Sequence, residues 1–450
     1  MRRWLPRLLP LLSVAILAAC DNQAPTAIDE DLVPVGPVTV EVRLPWSQFA
    51  SNLRVLGGFG FASEVGLGFL AKEYEGVLNA RTLVHFNAFP TEATVVDSAG
   101  TTRTDTKLSF VGGNIMIRFD AEASTNTGPV TVSAERTLVH WDAKTATWQN
   151  AVDSIDHRVA WGQPGGGPTA PLSSIGWTKS GPDSVLIRLD STMVAALADT
   201  ASALERGVRI SLDTPGQRLQ IKRITLKLIA RPSVRSDTVL ALTVNPSSVT
   251  FVYTPAPTAP TEGLRVGGVP SWRSILTLGL PATVPGTAAA CARVSCPLRV
   301  TDERITHVGL VLTTRPTEAP FRPTDSLSIE ARSVLAPGAL PKSPLGGQLF
   351  VDVLGRTIGA SLPFAGFAPG TPRTVELAIT PFVRNLLRGT SETGGTPSPT
   401  LALLSLHCPV EITNCFESRS LTYASFAGPG QSGEPYLRLV LTVSGALELP

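Results

Sequence analysis

The sequence writes the same unit twice: an alternating strand that runs straight into a short helix closed by glycine. Ser184-Val-Leu-Ile-Arg-Leu-Asp190 leads into a helical stretch from Met193 to Arg206, stopped at Gly207. Thr374-Val-Glu-Leu-Ala-Ile-Thr380 leads into Pro381 to Arg388, stopped at Gly389. A polar residue precedes each helix, and the second has proline at its first position, where a missing N–H costs nothing. Aligning Val185 with Val375 gives an offset of 190 residues. At similar offsets Arg81 to Pro90 meets Arg273 to Pro281, Val130 to Arg136 meets Leu327 to Arg332, and Ile224 to Ile229 meets Leu437 to Thr442. Four matches in one order point to duplication of a whole domain.

The duplicated unit is built of strands. Val38 to Leu44 alternates with period two, so one face should meet a core. Similar runs follow at Arg81 to Phe86, Asn114 to Phe119, Val130 to Val132, Arg136 to Trp141, Ser184 to Leu189, Gly207 to Leu212 and Ile224 to Ile229, then at Val239 to Val244 and Val249 to Tyr253. Only 16% of residues are charged, whereas 39 glycines and 38 prolines supply turns; this is the make-up of sandwiches rather than helical bundles. The reading predicts an all-β chain of two tandem antiparallel β-sandwiches, each with one short helix. They are expected over residues 38–231 and 238–445, with a boundary at Arg231 to Asp237. A shorter echo, Arg81 to Ala88 and Arg136 to Ala143, suggests two neighbouring strands in one core.

The leader is of a different kind. Met1-Arg2-Arg3 is followed by a mostly apolar stretch from Trp4 to Ile16 and then by Leu17-Ala18-Ala19-Cys20. A basic start, a short apolar run broken by Pro6 and Pro10, and small residues before a cleavage point make an export signal over residues 1–19. Leu-Ala-Ala-Cys resembles the bacterial lipobox, which implies that Cys20 is diacylglycerated and acylated and holds the protein at a membrane. Several chains, at roughly 0.8 kcal/mol per buried CH₂, anchor far better than one. Residues 20–37, polar and acidic around Asp29, Glu30 and Asp31, read as a tether. The expected location is an exported lipoprotein at the cell membrane or outer membrane, facing periplasm or exterior. Asp21 tends to retain such proteins at the inner membrane in enteric bacteria, a rule that is not general, so the membrane stays open.

Of the 38 basic residues, Arg2, Arg3 and Arg7 belong to the signal, which leaves 35 against 36 acidic ones. Such a balance argues against nucleic acid as a partner. Four cysteines remain after Cys20. In an oxidising envelope Cys291 with Cys296 and Cys408 with Cys415 would close two local loops, and a four-thiolate zinc site is the alternative. His85 and His140 hold equivalent places in the echoed strands, with Asp142 nearby: a metal pair in one reading, two half-buried strand histidines in the favoured one. No G-x-S-x-G, H-E-x-x-H or P-loop occurs. The expectation is a protein with no catalytic residues, no cofactor and no resident metal.

Several short pieces together resemble the bacterial DNRLRE-type domain, a β-sandwich of exported proteins related to carbohydrate-binding jelly rolls. An R-S-L-L-x-F-x-L-P strand corresponds to Arg81–Pro90 and Arg273–Pro281. A T-W segment with a later tryptophan corresponds to Thr147-Trp148 and Trp161. The two strand-helix units match a third piece, and Pro435-Tyr436-Leu437-Arg438-Leu439 matches the closing strand. The first half lacks the family's opening Asp and Gly-rich turn, and the second lacks the tryptophans. The resemblance implies jelly-roll-like sandwiches with a binding role. Trp141, Trp148, Trp161 and Trp177 are the candidate ligand-binding residues, since a flat indole stacks on a pyranose ring; filling the core is their other use. The expected function is a non-catalytic structural or binding role at the envelope, toward polysaccharide or an envelope protein. A polysaccharide-acting hydrolase or lyase is the alternative.

Overall fold

Val38 to Pro45 buries every fourth residue, Val40 and Leu44, each 1% exposed, and the strand that covers them lies at the other end of the chain. Val38 faces Val443 and Leu44 faces Leu437 in an unbroken antiparallel register. Each such fully buried aliphatic side chain stabilises by about 1.5–3 kcal/mol, so this distant pairing is strongly specified. The computed structural model describes residues 37–199, 206–347, 349, 359–390, 395–407, 416–417 and 420–444. The export signal, Cys20 and the rest of the tether before Pro37, together with Cys408 and Cys415, lie outside them.

The fold is all-β, and the strands that build its two bodies run in chain order as follows. β1 (Val38–Pro45), a helical turn α1 (Trp46–Phe49) and β2 (Ala50–Leu56) come first. Then follow β3 (Gly68–Tyr74), β4 (Leu78–Phe86), β5 (Leu108–Asp120), β6 (Val130–Thr137), β7 (Thr169–Trp177), β8 (Ser184–Asp190), the helix α2 (Ser191–Ala198), β9 (Gly207–Leu212) and β10 (Gln217–Pro232). β11 (Leu240–Val244) and β12 (Pro246–Thr254) are next. The remainder is β13 (Leu264–Gly267), β14 (Arg273–Leu278), a turn α3 (Ala288–Cys291), β15 (Ile305–Arg315), β16 (Leu327–Ser333), β17 (Ala360–Leu362), β18 (Thr374–Ala378), the helix α4 (Thr380–Arg388), β19 (Thr400–His407), β20 (Tyr423–Phe426) and β21 (Tyr436–Val443).

Strand pairing makes the repeat explicit. In the first body the order is β7-β6-β9-β4-β12 along one layer and β11-β10-β5-β8 along the other, with β3 bridging β4 and β10 so that the sheet curls round its core. In the second body β17-β16-β19-β14-β2 faces β1-β21-β15-β18, and β13 with β20 fills the bridging place. Each strand from β3 to β9 thus has its counterpart ten places later, and β11 and β12 hold the places that β1 and β2 take in the second body. β10 corresponds to β20 and β21 together.

Two pairs break the rule, and they break it reciprocally. β11 and β12 belong by position to the second repeat, yet they pair with β10 and β4 of the first body. β1 and β2 belong to the first repeat, yet they pair with β21 and β14 of the second. The first body is therefore an insertion between β2 and β13 of the second. The stretch read from sequence as a boundary, Arg231 to Asp237, is a hairpin connection inside the first body, with a 3-10 turn at Ser233–Arg235.

The cores follow this sorting. Val40, Leu44, Trp46 and Phe49 pack with Leu310, Leu403 and Leu439, while Val84, Ile115, Ile187, Val208 and Leu226 form the first body's core together with Val244 of β11. A third cluster joins the bodies: Phe69, Leu78 and Phe251 from the first meet Val269, Phe321 and Tyr423 from the second.

Local signals place the two helices. The Asp190 side chain accepts from the Met193 backbone N–H at 2.9 Å and caps α2; α2 ends at Ala198, short of the expected Arg206. Gly389 ends α4 in the left-handed region at φ +71°, which glycine adopts without strain. The echoed strands are not adjacent. β9 lies between β4 and β6, and the second copy leaves the sheet after Thr137, so His140 and Trp141 belong to a loop.

Candidate functional site

The four tryptophans singled out by sequence go to different places. Trp177 sits in the first body's core, its ring 4.5 Å from Phe119 and its Nε1 donating to the Pro182 carbonyl at 2.9 Å. Trp141 is 1% exposed and stacks flat on His85, ring centroids 3.7 Å apart. Trp161 is also buried and donates to the Thr147 carbonyl at 2.8 Å. Trp141 and Trp161 pack with Leu83, Ala151 and Val252 into a small core that fastens the 138–168 loops to the outer face of the sheet. None of these three offers a face to a ligand. Trp148 alone of the four is half-buried.

Its position is held from behind. The Arg81 guanidinium lies 5.0 Å from the indole centroid and donates to the Gly165 carbonyl at 2.9 Å. Gly165 N–H donates in turn to the Trp148 carbonyl at 2.7 Å. Gly165 has φ +82°, and a Cβ there would meet Arg81 Nη1 at 2.8 Å and two Trp148 ring carbons at 2.8 and 2.9 Å, so only glycine fits. The glycine-rich loop from Gly162 to Pro168 is thus the bed on which Trp148 rests. In front, Asp142 organises the turn that carries the tryptophan, accepting from the Lys144 and Thr145 backbones at 3.0 and 2.8 Å.

The front of Trp148 opens on a cleft of about 550 Å³ where the two bodies meet. Phe61, 41% exposed, and Tyr253 supply two more aromatic walls, while Val269 and Pro270 come from the second body. Burial pushes the Tyr253 hydroxyl well above its ordinary pKa, so it stays protonated and can donate. Lys144, Asn150 and Asp153 bring charge and hydrogen bonding to the same walls. Asp153 already accepts from Arg158 Nε at 2.7 Å and from Asn150 Nδ2 at 2.9 Å. It is the one carboxylate among the described residues lining this cleft. An apolar aromatic surface with a few convergent polar groups is the usual make-up of a small-ligand site. Glycoside hydrolysis instead draws on two carboxylates set roughly 5–10 Å apart.

Phe61 and Tyr253 carry no sequence signal, because they reach Trp148 only through the insertion topology. The histidines separate: His140 is exposed, and His85 is 6% exposed with its Nδ1 3.3 Å from Ser248 Oγ. Burial first, and then the neighbouring His140, push the His85 pKa down to about 4 against the opposing pull of Asp142. Among the described residues no group of three His, Cys, Asp or Glu side chains could hold a metal ion. Cys291 and Cys296 are joined as a disulfide, the first of the two expected loops, which leaves neither thiolate for a four-cysteine zinc site. No family model matches the chain, and no curated protein matches it.

Proposed function

We propose that this is an exported, lipid-anchored bacterial envelope protein with a non-catalytic binding role, and that it takes saccharide at the Trp148 cleft. The observation that carries this reading is the half-buried indole at the wall of a 550 Å³ cleft shared with Phe61 and Tyr253. Flat aromatic faces stack on the apolar side of a pyranose, while Asn150 and Lys144 meet its hydroxyls. The likeness of Arg81–Pro90, Thr147-Trp148 and the strand-helix units to DNRLRE-type and carbohydrate-binding jelly-roll domains points the same way. A single carboxylate, already engaged by Arg158, favours binding over hydrolysis.

The test is a polysaccharide array probed with the chain from Asp21 onward. Retention of at least one glycan, weakened tenfold or more by Trp148→Ala, is the expected result; no retained glycan sinks the saccharide reading. For the anchor, Cys20→Ser is expected to move the protein from the membrane to the soluble fraction. Continued membrane retention of that variant would contradict the lipobox.

A further inference from the structure

Among the described residues the least exposed arginines are Arg218, Arg265 and Arg209, and of these Arg218 alone has no carboxylate in a salt bridge with it. Arg209 pairs with Glu135, Arg265 with Glu318 at 3.4 Å, and Arg273 with Glu417 at 2.6 Å. Arg218 is more buried than any of the other buried arginines, at 3% exposure. Its Nε is sealed from solvent with no acceptor, and among the described residues no acidic side chain forms a salt bridge with it. The group it does meet is the Tyr74 ring, 5.3 Å from the guanidinium carbon, and the charge of exposed Glu75 reaches it only at electrostatic range. Leaving a cation in such a place is unfavourable, and burial accordingly pulls its pKa below the ordinary arginine value.

Arg218 stands on β10 opposite Ala71 of β3, on the sheet face that also carries Gln220 and Phe69. That face turns toward the second body. There Arg218 lines a second cleft, of about 620 Å³, on the far side of the Ala62–Glu64 turn from Trp148. Gln220 and Thr324 line it with polar groups that are neutral. A second arginine, Arg322, has its own Nε sealed without an acceptor and lies within electrostatic reach of Tyr74. Exposed Glu64 and Asp325 also line the cleft and would repel a polyanion, while the third acid of the lining, Glu417, is held by Arg273.

We propose that Arg218 anchors a binding site for a singly charged carboxylate in the cleft between the two bodies. The planar guanidinium fork matches a carboxylate bidentately, one negative charge supplies a counter-ion in direct contact, and the flanking acids select against ligands of higher charge. This inference stands apart from the saccharide reading of the Trp148 cleft.

The experiment is calorimetric titration of the chain from Asp21 onward with acetate, glucuronate and sulfate at constant ionic strength. Saturable binding of a carboxylate, lost at least tenfold in Arg218→Met, is expected. Tighter binding of glucuronate than acetate would identify an acidic sugar as the source, and equal binding a free small acid. Should Arg218→Met fail to fold, Arg218→Lys keeps the charge without the fork and is expected to bind at least fivefold more weakly. No saturable carboxylate binding to the unmodified chain, binding of sulfate alone, or undiminished binding in the arginine variants would overturn the proposal.

Discussion

His85 shows how one buried side chain ties stability to pH. Its imidazole is wedged between Trp141 and Ser248, and its pKa lies near 4 in the folded chain against 6.5 for a free histidine. Above pH 6.5 both states are neutral and the group contributes no slope. As pH falls from 6.5 toward 4 the unfolded chain takes up a proton that the folded one refuses, so stability is lost across that window and levels off below it. At pH 4.5 the loss amounts to about 2–3 kcal/mol. Urea unfolding of the parent chain and His85→Phe at pH 7 and pH 4.5 measures it: the gap between them should shift by that amount in favour of the variant at the lower pH. An unchanged gap would mean that the imidazole is solvated. From sequence, His85 and His140 looked equivalent because both follow Arg-Thr-Leu-Val. Burial separates them, and burial depends on where the two chain copies leave the sheet.

Among the elements, β1 carries the clearest consequence. Leu44 is 1% exposed and opposes Leu437, so Leu44→Ala should destabilise by about 2–5 kcal/mol. The damage should fall on the second body: hydrogen exchange is expected to lose protection at Tyr436–Val443 and Ile305–Arg315, leaving Leu108–Asp120 protected. Loss at Leu108–Asp120 instead would contradict the pairing of β1. Strands such as Val38–Pro45 and Ser184–Asp190 were legible because alternation is a local signal, and α4 because Gly389 marks its end. The run from Arg136 to Trp141 alternates equally well but leaves the sheet at Leu138, whose N–H donates to the Pro168 carbonyl at 3.1 Å. Nothing local distinguishes it. Partner choice was beyond reach for the same reason: Val38 and Val443 are brought together by tertiary packing, not by any nearby pattern. The candidate cleft fared likewise, since Trp148 was visible in the sequence and its neighbours Phe61 and Tyr253 were not.

At the scale of the whole molecule, the apparent tandem repeat and the folded bodies have different boundaries. A fragment spanning residues 38–237 carries β1 and β2 without the strands they pair with, and lacks β11 and β12. It should be poorly folded alone. Residues 66–258 hold every strand of the first body and are expected to unfold cooperatively by themselves. Co-expressed fragments 38–237 and 238–450 should copurify as a one-to-one complex, each lending two strands to the other's sheet. Separate elution of two folded monomers would be incompatible with the exchange.

The insertion also sets how the molecule meets a mechanical load. The chain enters the fold at Val38, the first residue of edge strand β1 in the second body. Tension arriving from that side is resisted first by the eight-residue ladder between β1 and β21. The first body, joined by the two passages at residues 57–67 and 255–263, lies off the direct path through that ladder. A pull on the chain therefore has a weak link with an address, and the Trp148 bed lies on the sheltered side of it.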